Sequence, residues 1–443
     1  MSEAASEVRV RAQTAVAALS QGLRALRHRN FQLFFAGQGI SVIGTWMTRV
    51  ATGWLVYRLT HSALLLGVAS FAAYFVSFVL GPFAGVWVER LERRRLLLAT
   101  QAVAALQSLA LAALTLLHVI TIGEIVALAA LQGLVNAFDM PARQSFLVQL
   151  VGRRSDLGNA IAINSSMVSL ARLIGPACAG IIIGATNEGW CFLIDGISYF
   201  AVIASLCLIT VNAQPAPRGG TSLMEQMREG WDYVRGFAPL RTILVLFALV
   251  CLMGYPYMVL LPVFAAQMLH GGPATLGWLS AASGLGALIS GFSLAMRGST
   301  AGLARMVQIA TAVLGAALVL FGFSHSLWLS LVLLVFAGFG LIQVASAANT
   351  IIQSLVSDDK RARVMSYYTM AFFGSAPFGS LLAGLLAHRF GAPDAVIVTG
   401  VFCLTGALWF TRELPAIDAQ IREHRTASRT CVEPAADADQ STL

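Results

Sequence analysis

Two arginines and two aspartates stand in stretches of this chain that are otherwise almost free of charge. Arg49 lies in the apolar run 31–56 and Arg172 in 159–186; Asp139 lies in 122–143 and Asp195 in 190–211. An arginine at the centre of a membrane helix costs roughly 2.5–3.5 kcal/mol on insertion scales, so a chain that keeps one there pairs it or uses it. The chemistry open to these groups is ion pairing, proton binding and the holding of a polar ligand group. Depth allows an Arg172–Asp195 or an Arg49–Asp195 pair, either as a structural stiffener or as part of substrate or proton handling. Neutral polar residues surround them at steps of three and four. Gln38, Ser41, Thr45, Thr48 and Thr52 form one set, and Gln132, Asn136 and Asp139 a second. Ser165, Ser169 and Arg172 form a third, and Gln343, Ser346, Thr350 and Gln353 a fourth. That spacing puts each set on one helical face. Such faces avoid lipid, so the four stripes are expected to line a shared polar interior, with plain interhelical hydrogen bonding as the alternative. In the second half the candidates are Tyr255, Tyr257, Tyr367, Tyr368 and Phe372. A charged wall facing an aromatic one suits an amphiphilic organic molecule, an anionic one among them.

Other chemistry finds little footing. His61, His118, His270, His325 and His388 fall at loop ends, and His28 and His424 in the tails. None sits mid-helix beside a cysteine or carboxylate, as an intramembrane enzyme would need. Cys178, Cys191, Cys207, Cys251 and Cys403 lie in apolar runs, and Cys431 in the tail, without a CxxC pair. No catalytic residue, metal, disulfide or cofactor is expected. A G-x-x-x-x-G-K-[ST] run is missing, so ATP is not the expected driver.

The elements that must position these residues follow from hydrophobic length. Twelve apolar stretches run through the chain: 31–56, 64–88, 96–117, 122–143, 159–186, 190–211, 239–263, 274–296, 303–323, 327–349, 364–387 and 394–411. A hydrocarbon core about 30 Å thick needs roughly 20 apolar residues per helical crossing. Hydrophobic residues make up 57% of the chain and charged ones 11%, and the mean hydropathy is +0.76. The expectation is an all-α membrane protein of twelve transmembrane helices.

Charge sets the topology. With twelve crossings both termini share a side, and 25 of the 29 Lys and Arg residues lie on it. The positive-inside rule then puts both ends in the cytoplasm, and the net charge of +8 reads as topology and anionic-lipid contact rather than nucleic-acid binding. Residues 1–30 read as a cytoplasmic segment with a basic amphipathic helix over 8–28 and no signal peptide. The pattern breaks at 212–238. Pro215, Pro217, Gly219 and Gly220 precede a Ser222–Glu225 capping box and a helix with Leu223, Met227, Trp231 and Val234 on one face. This linker joins a bundle at 31–211 to one at 239–412, with a cytoplasmic tail at 413–443. Leu66, Gly67, Ser70 and Gly81 recur as Leu276, Gly277, Ser280 and Gly291, which favours two parallel, pseudo-symmetric six-helix repeats.

Three motifs carry a family resemblance. Gly85-x-x-x-Glu89-Arg90-x-Glu92-Arg93-Arg94-Arg95 resembles the major facilitator superfamily's G-x-x-x-D-R-x-G-R-R/K-R loop, with Glu89 for Asp and Glu92 for the turn Gly. Gly175-Pro176-x-x-Ala179-Gly180 is similar to the G-P-x-x-G-G motif of its exporters, with Ala179 for one Gly. Asn136-x-x-Asp139-x-Pro141-Ala142-Arg143-Gln144 resembles the corresponding run of the enterobactin/macrolide-exporter-like, or transmembrane secretion effector, branch. The resemblance implies the major facilitator fold and a conformational latch from Gly85, Glu89, Arg90, Asp139 and Arg143. It also implies efflux of a drug, siderophore or similar metabolite by proton antiport. The expected setting is a bacterial inner membrane, and the expected partners are the substrate, protons and anionic lipids, with the chain a monomer. An importer of the same fold and a lipid flippase are the alternatives.

Overall fold

The computed structural model describes residues 24–151, 154–210, 223–297, 302–356 and 358–430. Every regular element among them is helical. The first crossings are α1 (Arg29–Thr60), α2 (Ala63–Arg90), α3 (Arg93–Leu116), α4 (Ile122–Leu150), α5 (Arg154–Ala185) and α6 (Glu188–Leu208). A linker helix, α7 (Leu223–Gly236), follows. The seventh crossing is built from α8 (Ala238–Leu249) and α9 (Tyr257–Val263), each followed by a wide π-type turn, Val250–Gly254 and Phe264–Met268. The remaining crossings are α10 (Pro273–Ala295), α11 (Leu303–Gly322), α12 (Leu327–Leu355), α13 (Asp358–Phe390) and α14 (Ala392–Thr430). The last continues well past the expected membrane end at 411.

Among the described residues eleven segments are long and apolar enough to cross a membrane, with Ala238–Met268 counted as one. The twelfth crossing, α1, has the length at 32 residues, but its polar stripe and three arginines dilute its apolar character. Length satisfies the bilayer there, and neighbouring helices must satisfy the polarity.

The chain forms two compact units. One comprises Met1–Leu55 with Val76–Pro217, the other Val56–Phe75 with Arg218–Leu443. The division at 217 falls inside the expected linker, but the start of α2 joins the second unit. Small residues explain why: a Cβ on Gly67 would lie 3.1 Å from Gly384 Cα, so the two backbones nearly touch. Beyond that point Phe71 and Phe75 set their rings against Phe378 of α13.

The terminal-side end of the first unit closes on Phe31, Phe34, Phe146, Leu150, Leu206 and Ile209. Arg94 donates through Nε to Leu206 O (2.7 Å) and through Nη2 to Cys207 O (2.8 Å), capping the end of α6 where the helix dipole favours a cation. Glu92 precedes α3 with φ −66°, a value any residue adopts, so the place of the family's glycine needs none here. The amide of Ala25 donates to Asn159 Oδ1 (2.9 Å), and His28 meets Asp156 (3.1 Å), tying the described start of the chain to α5. The expected amphipathic helix at 8–28 lies outside the described residues except for a short turn at Arg24–Arg27 and His28. The Ser222–Glu225 capping box also lies outside them.

Candidate functional site

Trp46 of α1 is the meeting point of the two membrane arginines. Arg49 Cζ lies 4.6 Å from the indole centroid and Arg172 Cζ of α5 lies 4.8 Å from it. Gly175 makes the arrangement possible. A Cβ there would come within 2.6 Å of Trp46 Cβ and 2.9 Å of Ile43 O, so only glycine lets α5 lie this close to α1. Pro176 is buried within an unbroken α5, and Ala179 and Gly180 are buried beside it. Arg49 is exposed and Arg172 half-buried. Two guanidinium groups over one indole put positive charge around an apolar plate, a surface suited to an acceptor-rich polar group on an apolar body.

Thr45 and Thr48 of the α1 stripe turn to α6. Gln38 and Ser41 are buried. Thr45 Oγ1 donates to Ser41 O (3.0 Å) and lies 3.5 Å from the Tyr199 hydroxyl. Thr48 Oγ1 donates to Asp195 Oδ2 (2.8 Å), and Ser108 of α3 donates to the same oxygen (3.0 Å). Among the described contacts Asp195 is held by hydroxyls, and the contact of Arg49 and Arg172 is with Trp46. The physical reason is the helix face: the arginines turn to Trp46 while Thr48 carries the contact to α6.

Asp139 is buried at the α3–α4 contact. Its Oδ1 accepts from Thr100 Oγ1 (3.1 Å) and Gln101 Nε2 (2.7 Å), and its Oδ2 pairs with Arg143 one turn along α4. The side chains of Gly85, Glu89 and Arg90 lie outside the described residues, so of the expected latch only the Asp139–Arg143 half has geometry. Gln132 Nε2 donates to Asn136 Oδ1 (3.3 Å), and Ser169 back to Ser165 O (2.9 Å). Glu124 completes a capping box with Thr121 at the start of α4.

In the second unit Gln343 is sealed between α10, α11 and α12. Its oxygen accepts from Ser290 (2.9 Å) and Ser293 (3.4 Å), and its nitrogen reaches Met306 Sδ (3.3 Å). Tyr367 packs on Trp231 of the linker helix, 5.9 Å between rings, beside the Glu229–Arg363 ion pair. Its described ring contact is therefore with α7. Tyr368 stacks on Phe247 (4.4 Å), and Tyr255 shares a hydroxyl contact with Tyr74 of α2 (3.0 Å) and an edge contact with Phe372. Tyr74, Ser108 and Trp46 were missed as site residues from sequence; only the polar or aromatic type of each, inside an apolar run, pointed to them. Among the described residues no three His, Cys, Asp or Glu side chains cluster to hold a metal.

Comparison with known proteins agrees with this architecture. The family described as transmembrane secretion effector matches residues 20–440. The staphyloferrin A transporter of Staphylococcus aureus is 27% identical over 382 residues, 85% of this chain and 95% of that one. The multidrug efflux pump Tap of Mycolicibacterium fortuitum is 27% identical over 369 residues, 80% and 87% of the two chains. Among solved structures, a bacterial homologue of the lysosomal transporter Spinster superposes with a TM-score of 0.68 over 89% of this chain and 98% of that one, at 14% identity.

Proposed function

This chain belongs to the transmembrane secretion effector family of major facilitator transporters, and from that membership we propose that it is a secondary exporter. It moves an amphiphilic small molecule out of the cell by alternating access, as a single chain drawing on the proton gradient. The observation that carries the reading is the pair of guanidiniums on Trp46. They offer an acceptor-rich head group a cationic face at a depth where arginine is otherwise costly. The names of the relatives, a siderophore transporter and a multidrug pump, support a substrate of siderophore or drug type. The crowding of Lys and Arg on the terminal side supports cytoplasmic termini in an inner membrane, with anionic lipid against that face. Glu89, Arg90, Asp139 and Arg143 would then form a cytoplasmic latch, and Gly175 to Gly180 the exporter-type contact of α5 with α1.

The test is efflux of a panel of fluorescent amphiphiles from cells, before and after a protonophore. Efflux through this chain should stop when the gradient collapses; undiminished efflux sinks the proton drive. Arg172→Ala should lower efflux roughly tenfold at unchanged abundance, the loss of a charge-assisted contact worth about 1.5 kcal/mol. Unaltered transport would reduce the Trp46 site to packing.

A further inference from the structure

Asp195 is 2% exposed and ties three helices. Oδ2 takes both hydrogen bonds, from Thr48 of α1 and Ser108 of α3. Oδ1 has no hydrogen-bond partner among the described residues and lies over Gly44, where a Cβ would come within 2.7 Å of it. A buried carboxylate whose described hydrogen bonds all fall on one oxygen is expensive as an anion. A proton on that oxygen removes the charge while the other keeps its two donors. The titratable groups around it are Cys191 and Tyr199 on either side along α6 and Arg49 next to Thr48 on α1, with Arg172 of α5 reaching the same indole as Arg49. From α3 the facing group is the neutral Ser108.

We propose that Asp195 is the group that carries the coupling proton, and that the α1–α6 contact at Gly44 is the joint it controls. This rests on the proton-driven reading above and adds a site to it. With the proton bound, α1, α3 and α6 close on a neutral carboxyl. When the proton leaves, the charge needs water or a cation, and neither fits while Gly44 is pressed against Oδ1. Proton loss therefore favours separation of α1 from α6, and proton uptake favours their closure. The movement passes along α1 to Trp46 and Arg49, one turn or less from Thr48, so proton occupancy and substrate handling are linked through one helix.

The proton itself is the first probe. Infrared difference spectra of the purified full chain between acid and alkaline pH should contain a protonated-carboxyl stretch that titrates. It should vanish in Asp195→Asn and survive in Asp139→Asn. A band unchanged by Asp195→Asn overturns the proposal. Asparagine preserves shape and an acceptor oxygen for Thr48 and Ser108; should that variant fail to reach the membrane, Ser108→Ala is read instead. It should shift the band's titration midpoint, and an unmoved midpoint overturns the assignment. The second arm uses the fluorescent amphiphiles exported by the wild-type chain. Asp195→Asn should retain their exchange at equal concentrations on both sides and lose gradient-driven accumulation. Loss of exchange at normal abundance, or gradient-driven export equal to the wild type, overturns the role of Asp195 alone. Gradient-independent export by the wild-type chain is a separate result and sinks the reading beneath it.

Discussion

Asp139, Asp156, Glu188 and Asp195 are all buried in the first unit, whereas among the described residues the polar side chains buried in the second are hydroxyls and the amide of Gln343. The backbones differ in the opposite sense. In the first unit Pro141 and Pro176 sit inside continuous helices α4 and α5. In the second, Pro256 follows a wide turn whose Tyr255 amide reaches back five residues to Val250 O (3.0 Å), and a second such turn closes Phe264–Met268. Buried charge demands fixed partners, because a lost hydrogen bond to a charged group costs about 1.5–3 kcal/mol. Rings and hydroxyls tolerate small displacements. The unit that holds the charges keeps its helices whole, and the unit that holds rings contains the helix that departs from regular geometry.

That contrast can be broken at several points. The largest effect is expected where the second unit is not yielding at all. A Cβ on Gly286 of α10 would run into the carbonyl of Val335 on α12, and one on Gly338 into that of Ser283. Gly286→Val should cost about 3 kcal/mol or more, since backbone cannot move aside as a side chain can. Thermal melting in detergent and membrane abundance measure it, with Gly291→Ala as control because nothing lies within 4 Å of that Cβ. Near-wild-type melting of Gly286→Val would show the second unit to be deformable throughout. Next comes Asp139→Asn, which keeps an acceptor for Thr100 and Gln101 and loses the ion pair to Arg143. Efflux should fall roughly tenfold while abundance stays within about twofold. Normal export would remove the latch argument. The smallest effect belongs to Tyr255→Phe, which deletes one neutral hydroxyl contact with Tyr74 worth about 1 kcal/mol. Efflux should change less than about threefold. A larger loss than that of Asp139→Asn would reverse the division of labour.

How far sequence reaches follows from which forces are local. The crossings are legible because hydrocarbon thickness imposes one length on every helix, and even α1 declares itself by length once its polar stripe is set aside. The amphipathic linker helix is legible from one face, on which Val234 is buried and Trp231 meets Tyr367. The partners of each polar residue are not, because periodicity fixes a face but not what lies opposite. The spacing of Ser41, Thr45 and Thr48 marks a stripe, yet only the packed helices show that Thr48 binds Asp195 while the neighbouring Arg49 turns to Trp46. Gln343 shares a stripe with Ser346 and Thr350 but is claimed by Ser290 and Ser293, serines of α10 that carried no signal of their own. Arg94 reads as one more topology-setting charge until the end of α6 is found beneath it.

The wide turn at Val250–Gly254 has a consequence for aim. It holds one residue more than a regular turn, and Pro256, with no N–H to donate, keeps that extra residue from passing further along the crossing. The turn is therefore a fixed offset, and the phenol of Tyr255 is rotated about the crossing by that one added residue. A pinned stitch of this kind sets the direction of a ring inside a close-packed bundle.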